Sequence, residues 1–208
     1  MATYILMAVI AYAIGSVNFS VILSKRMAGF DVRERGSGNA GTTNMLRSVG
    51  KGAAALTLVL DILKGILAIL IAKFIVGNIA QDVSTAILVQ IAGFFVVLGH
   101  TFPAFFGFKG GKGVATSLGV LLLIQPVIGG ICLVFAIVVM AITRMVSLGS
   151  IMAAILFPVL TIFITDNYIE EGNTYIFFGI AMAVLVIFNH RANLKRIYNG
   201  EENRLSFK

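Results

Sequence analysis

The stretch GVATSLGVLLLIQPVIGGICLVFAIVVMAIT, Gly113 to Thr143, runs 31 residues without a charge, and its reading decides how the rest of the chain is threaded. As one helix it would extend about 46 Å, too long for a hydrocarbon core of about 30 Å and short for two full crossings. Gln125-Pro126 stands near its middle, with Gly129-Gly130 just beyond. Proline lacks an amide hydrogen and clashes with the preceding turn, so the stretch predicts two helical segments hinged at that point.

Comparable uncharged runs occupy Met1 to Ser24, Val83 to Phe108, Met145 to Thr165 and Gly172 to Asn189. Of the 208 residues 59% are hydrophobic and 12% charged, with a mean hydropathy of +0.99, which excludes an ordinary soluble domain. The single cysteine, Cys132, lies inside an apolar run and excludes a disulfide framework or a multi-cysteine metal site. The chain reads as an all-α, polytopic integral membrane protein. No internal repeat or linker divides it, so one transmembrane domain spanning residues 1–208 is expected.

A net charge of +7 invites a nucleic-acid partner, but the positions of the charges argue otherwise. Of 16 basic residues, 14 fall in four connecting segments: Lys25 to Lys51, Lys109 with Lys112, Arg144, and the tail from Arg191 to Lys208. The intervening connections carry Asp82 in one, and Asp166, Glu170 and Glu171 in the other. Cytoplasmic loops concentrate lysine and arginine, so the basic segments are placed inside and no nucleic acid is expected. The first apolar run has no basic residues before it and several after it, which predicts an anchored helix starting outside rather than a cleaved signal.

Helical segments are expected near 3–23, 53–73, 84–99, 114–125, 127–143, 148–165 and 174–189. Parity supports splitting the 113–143 stretch. A single crossing there would put the acidic loop inside and the basic tail outside. The expectation is a seven-helix bundle with its N-terminus outside and its C-terminus cytoplasmic.

Three basic segments are unlike ordinary loops. Arg35-Gly-Ser-Gly-Asn-Ala-Gly-Thr-Thr-Asn-Met-Leu-Arg47 contains a formal dinucleotide fingerprint at Gly36, Gly38 and Gly41, but neither a preceding strand nor a βαβ unit accompanies it. What remains is a glycine-permitted backbone ringed by Ser37, Asn39, Thr42, Thr43 and Asn44 and closed by Arg47, a candidate anion nest. Gly99-His-Thr-Phe-Pro-Ala-Phe-Phe-Gly-Phe-Lys-Gly-Gly-Lys-Gly-Val-Ala-Thr116 is not a Walker A loop, yet its logic is similar. Gly110, Gly111 and Gly113 let the backbone approach a ligand, Lys112 supplies a compact cation, and a helix starting near Val114 would aim its positive end there. The third segment, from Asn189 to Glu202, holds His190 and Asn193 three residues apart. Histidine is the side chain suited to moving a proton near neutral pH.

Simpler explanations cover other residues. Lys25, Arg26, Lys195, Arg196 and Lys208 suit lipid headgroups. Asp61 and Lys64, at i and i+3 of a span, are expected to neutralise each other, and His100 to serve structure. Phe102, Phe105, Phe106 and Phe108 read as interfacial anchors or acyl-chain packing. A transporter of organic phosphates is the alternative function, but such proteins place polar groups on broken helices at midmembrane, whereas the distinctive motifs here gather on one side.

Taken together, Gly36-Ser-Gly-Asn-Ala-Gly-Thr-Thr-Asn44 with Arg47, Gly99-His-Thr-Phe-Pro103 leading into Phe108-Lys-Gly-Gly-Lys-Gly-Val-Ala-Thr116, and His190-Arg-Ala-Asn193 with Asn199-Gly-Glu-Glu202 give a resemblance over essentially the whole length. The chain resembles the bacterial membrane acyl-phosphate:glycerol-3-phosphate acyltransferases. The family's first motif usually has Gly-Ala-Thr-Asn where this chain has Gly41-Thr42-Thr43-Asn44.

The resemblance implies transfer of a fatty acyl group from acyl phosphate to the sn-1 hydroxyl of glycerol 3-phosphate, at the cytoplasmic side of the bacterial inner membrane. It implies catalytic roles for Ser37, His190 and Asn193. It further implies substrate binding by Arg47, Asn39, Asn44, Ser147, Gly110, Gly111, Lys112 and Gly113, and a structural role for Glu202. The implied partners are glycerol 3-phosphate, acyl phosphate, membrane lipids and the soluble enzyme that makes acyl phosphate, with neither cofactor nor metal. An acyl phosphate is a mixed anhydride with a good leaving group, so the donor is already activated. The proton acceptor is expected to be His190 or the substrate's own phosphate, whose second pKa lies near 6. These distant stretches are expected to meet around one small molecule.

Overall fold

The computed structural model describes residues 1–164 and 172–205. Asp166, Glu170, Glu171 and Lys208, on which part of the topology reading rests, lie outside the described residues. The described chain is helical, without strands, and divides into two compact units, Met1–Ile124 and Gln125–Lys208.

The first unit contains α1 (Ala2–Gly15), α2 (Phe19–Ala28), α3 (Thr42–Ser48), α4 (Lys51–Asn78), α5 (Thr85–Thr101) and α6 (Val114–Ile124). Helix α4, 28 residues and so about 42 Å long, is central, packing against α6, α5, α2 and α3, while α1 lies along α5. Glycines bring these backbones together. A β-carbon at Gly99 would strike the Tyr12 carbonyl, one at Gly65 the Thr116 carbonyl, and one at Gly119 the Ile62 carbonyl. Small residues at helix crossings are how apolar spans pack when lipid is as apolar as their side chains. Leu56, Val59, Leu63, Leu67 and Leu70 stay exposed on α4, as a lipid-facing flank requires.

The first apolar run is not one helix over 3–23. It breaks at Ser16–Asn18, where the Asn18 side chain accepts the Val21 N–H at 3.1 Å and starts α2. Helix α2 closes at Gly29, in the left-handed region at φ 74°, with Lys25 and Arg26 in its last turn facing the negative end of the helix dipole.

The second unit contains α7 (Pro126–Thr143), α8 (Val146–Ile164), α9 (Gly172–Asn189) and α10 (Arg191–Tyr198). Helix α8 packs on both α7 and α9. Phe157 meets Phe178 edge to face at 6.1 Å, and Gly179 lies against Pro158. The 113–143 stretch divides at its proline, with α6 ending at Ile124 and α7 beginning at Pro126.

Among the described residues, five helices are long and apolar enough to cross a bilayer, and six if the bent pair Thr174–Asn189 and Arg191–Tyr198 counts as one. Helix α6, with 11 residues, extends about 16 Å and is shorter than a hydrocarbon core.

Candidate active site

In the first unit the site is built on the loop between α2 and α3. A small core of Val21, Val32, Ala40, Met45, Ala53 and Ala54 seats it, with Phe106 packed alongside. Asp31 accepts the Arg33 backbone N–H at 3.0 Å and takes a two-pronged contact from its guanidinium, Nε to Oδ1 at 3.0 Å and Nη2 to Oδ2 at 2.8 Å. The side-chain bonds from Arg33 hold the Asp31 carboxyl at about 2, against the opposing effect of burial, with the Arg33 amide and the charges of Arg33 and Lys25 adding to the shift. Arg33 Nη1 then donates to the carbonyls of Phe106, at 2.6 Å, and Lys109, at 3.2 Å. The nest loop and the glycine loop are thereby tied together.

Asn44 organises the nest from beneath. Its Oδ1 accepts the Ser37 N–H at 2.9 Å, and its Nδ2 donates to the carbonyls of Val32 at 2.9 Å and Arg35 at 3.0 Å. Gly36 sits at φ 58°, and a β-carbon there would collide with Asn44 Oδ1, so both its conformation and its surroundings demand glycine. Ser37 is exposed above this base. Asn44, expected to touch substrate, commits its carboxamide to shaping the loop that presents Ser37.

Asn39 reaches across to the second motif, Nδ2 donating to the Gly110 carbonyl at 3.3 Å, beside the Ala40 N–H at 3.4 Å. The N–H groups of Gly110 and Gly111 donate at 3.1 Å each to the Thr101 and His100 carbonyls, two of the acceptors left unpaired at the end of α5. Both amides are thereby committed to bonds within the protein. They splice the loop onto α5, and the half-buried Lys112 follows immediately. Gly113, at φ 88°, turns the chain into α6, its carbonyl accepting the Ser117 N–H at 2.8 Å. Arg47 lies exposed in the last turn of α3.

In the second unit, the chain bends by 62° between α9 and α10, and His190 occupies the bend as the N-cap of α10. It is 3% exposed, and its Nδ1 lies 2.8 Å from the Val186 carbonyl oxygen. A carbonyl can only accept, so Nδ1 carries the proton and, in the neutral ring, Nε2 is the basic nitrogen. Glu202 is the hub of the polar groups nearby. Its Oε1 accepts from Ser147 Oγ at 2.8 Å and Asn193 Nδ2 at 2.7 Å, and its Oε2 accepts from Arg196 Nε at 2.9 Å. Burial pushes the Glu202 carboxyl up, but the bonds from Asn193, Ser147 and Arg196, with the Arg196 charge, outweigh it and hold the group below the usual range. The Leu205 N–H, donating to the Arg144 carbonyl at 2.7 Å, fastens the tail to the α7–α8 connection.

The first unit thus joins Ser37, Asn39 and Asn44 to the Gly110–Gly113 loop, and the second joins Ser147 and Asn193 through Glu202. Sequence reading passed over Asp31 and Arg33, whose i, i+2 spacing at a turn was the available signal. It also assigned Arg196 to lipid headgroups, whereas the guanidinium is bound to Glu202. Among the described residues no group of three or more His, Cys, Asp or Glu side chains is placed to hold a metal ion.

Residues 5–200 match the family described as glycerol-3-phosphate acyltransferase. A glycerol-3-phosphate acyltransferase of Clostridioides difficile (strain 630) is 44% identical over 206 residues, covering 99% of this chain and 97% of the relative. One from Thermoanaerobacter pseudethanolicus is 44% identical over 205 residues, covering 98% and 96%. The crystal structure of an integral membrane glycerol 3-phosphate acyltransferase in its glycerol 3-phosphate form superimposes with a TM-score of 0.83 at 35% identity, over 98% of this chain and 96% of that one. The lysophosphatidic acid form gives 0.80 at 33%, over 98% and 95%.

Proposed function

The chain belongs to the glycerol-3-phosphate acyltransferase family, and from that premise we propose that it transfers a fatty acyl group from acyl phosphate to the sn-1 hydroxyl of glycerol 3-phosphate, releasing inorganic phosphate. The observation that carries this reading is the match over nearly the full length of both chains, to relatives bearing that name and to a structure in its glycerol 3-phosphate form. Transport of organic phosphates, the alternative, has no such support.

The enzyme acts as one domain of the bacterial inner membrane, built of seven helical segments, with its N-terminus outside and its active site and C-terminus cytoplasmic. The short α6 does not reach across the hydrocarbon core by itself, and the charge pattern of the connecting segments is what supports this topology. The acyl chain enters from the bilayer and the acceptor from the cytoplasm, with a soluble enzyme delivering the acyl phosphate.

Residues from each of the three motifs are assigned roles in the reaction. Lys112 and Arg47 hold substrate phosphates that would otherwise repel each other, with Asn39, Asn44 and the Gly110–Gly113 loop setting the shape that receives them. The sn-1 oxygen attacks the acyl carbonyl carbon. Ser37 donates a hydrogen bond to the oxyanion that develops. The carbon–oxygen bond to phosphate breaks, and phosphate leaves with the bonding pair. The hydroxyl proton passes to His190 Nε2, which the Val186 carbonyl keeps basic by holding the proton on Nδ1. Asn193 and Ser147, both held by Glu202, are the further polar groups assigned to the site.

The test uses purified protein in detergent with acyl phosphate and labelled glycerol 3-phosphate alone. Equal amounts of 1-acyl-glycerol 3-phosphate and phosphate are expected. Product that appears only after acyl-coenzyme A is added overturns the donor assignment.

A further inference from the structure

Asp61 and Lys64 on α4, buried at 2% and 4% exposure, form a close ion pair, Lys64 Nζ lying 2.9 Å from Asp61 Oδ1. The ammonium also donates to the carbonyls of Gly15 at 3.2 Å and Val17 at 2.9 Å, the acceptors exposed where the first apolar run breaks. Mutual neutralisation accounts for two of these charges and needs no third partner. Yet His100, from α5, brings Nδ1 to 3.4 Å from the same Asp61 oxygen.

The other edge of that imidazole points at the glycine loop. A β-carbon on Gly111 would land on His100 Nε2 and Cε1, so the ring lies flush against the Gly111 backbone. The His100 carbonyl meanwhile accepts the Gly111 N–H. His100 therefore holds Gly111 by its backbone and by its ring, and the Asp61 carboxylate lies beside the ring's opposite edge. Gly111 precedes Lys112, and Gly110 receives Asn39 and Ala40.

We propose that Asp61 and His100 are a buried pair of positioning residues that set the glycine loop, and with it Lys112, for glycerol 3-phosphate. Resting on the function proposed above, this pair selects the acceptor substrate without touching it. Lys64 offsets the charge of the Asp61 carboxylate, since a lone buried carboxylate is costly to desolvate.

The pair is tested by steady-state kinetics on two full-length variants, each checked for folding by thermal unfolding in detergent. His100→Phe keeps a ring against Gly111 but loses Nδ1. Asp61→Asn combined with Lys64→Met removes both charges at once and leaves no lone ion. Both are expected to fold and to raise KM for glycerol 3-phosphate about tenfold or more, with KM for acyl phosphate within about twofold and kcat within about threefold of the parent. Folded variants with KM for glycerol 3-phosphate within about twofold of the parent overturn the positioning role. So does failure of both to fold, which assigns the cluster to stability alone. A parent enzyme inert toward glycerol 3-phosphate overturns the acyltransferase reading and this inference together, whereas an active parent with unchanged variants overturns only the inference.

Discussion

Asn44 Oδ1 accepts the Ser37 N–H at 2.9 Å, so the residue that shapes the nest is buried under the one the nest presents. The carboxamide is 2% exposed and makes three hydrogen bonds, all to backbone. Replacing it leaves three backbone groups without this partner, the Val32 carbonyl among them buried.

Asn44→Ala is expected to lower stability by about 2 to 4 kcal/mol, because one amide and two carbonyls lose their partner. Asn44→Asp is expected to be at least as damaging. A carboxylate oxygen then faces the Val32 and Arg35 carbonyls, replacing attraction with repulsion. Thermal unfolding in detergent checks the stability, and kcat/KM of the surviving folded fraction checks whether Ser37 is still presented.

Lys112→Ala is expected to raise KM for glycerol 3-phosphate about tenfold or more while kcat falls less, since its role is to hold a phosphate in ground and transition state alike. Steady-state kinetics at varied acceptor concentration separates the two effects. A drop confined to kcat would place Lys112 on the leaving phosphate instead.

His190→Ala is expected to reduce kcat by about 10² to 10⁴, the range for loss of a positioned general base. Single-turnover measurement on the purified variant decides it. A variant with nearly parental kcat transfers the base role to the phosphate of the acceptor.

Acid should loosen both the α2–α3 loop and the tail at Glu202. Asp31 titrates at about 2 when folded against an ordinary value of 3.8, and Glu202 is likewise depressed. Carboxyls with lower folded than unfolded pKa bind fewer protons in the native state, so the stability they contribute is full above the unfolded value. It is lost as pH falls through the folded one. Stability should decline from about pH 4.5 downward, the Asp31 part between 3.8 and about 2. Unfolding measured across that range should flatten in Asp31→Asn and Glu202→Gln, each variant starting from a lower plateau at neutral pH.

Hydropathy alone located most of the helices, because a bilayer core forces any apolar run of sufficient length to satisfy its backbone internally. Gln125-Pro126 marked the division of the long uncharged stretch for an equally local reason, a missing amide hydrogen. Glycine and cation motifs identified the segments that carry chemistry, since backbone close to a phosphate needs residues without side chains.

Contacts between residues far apart in the chain were decided only by the tertiary structure. The break at Ser16–Asn18 gains its carbonyl partners from Lys64, about 50 residues away in sequence and visible only once α4 lies beside α1 and α2. Gly110 and Gly111 read as backbone open to a ligand until the end of α5 presents two unpaired carbonyls that take their amides. Arg196 looks like a headgroup anchor until the tail turns at Gly200 and brings Glu202 to it. Local stereochemistry and hydrophobicity are written in neighbouring residues and can be read from them. The choice of partner for a buried donor or acceptor depends on which chain segments folding brings within 3 Å or so, and only the packed molecule makes that choice.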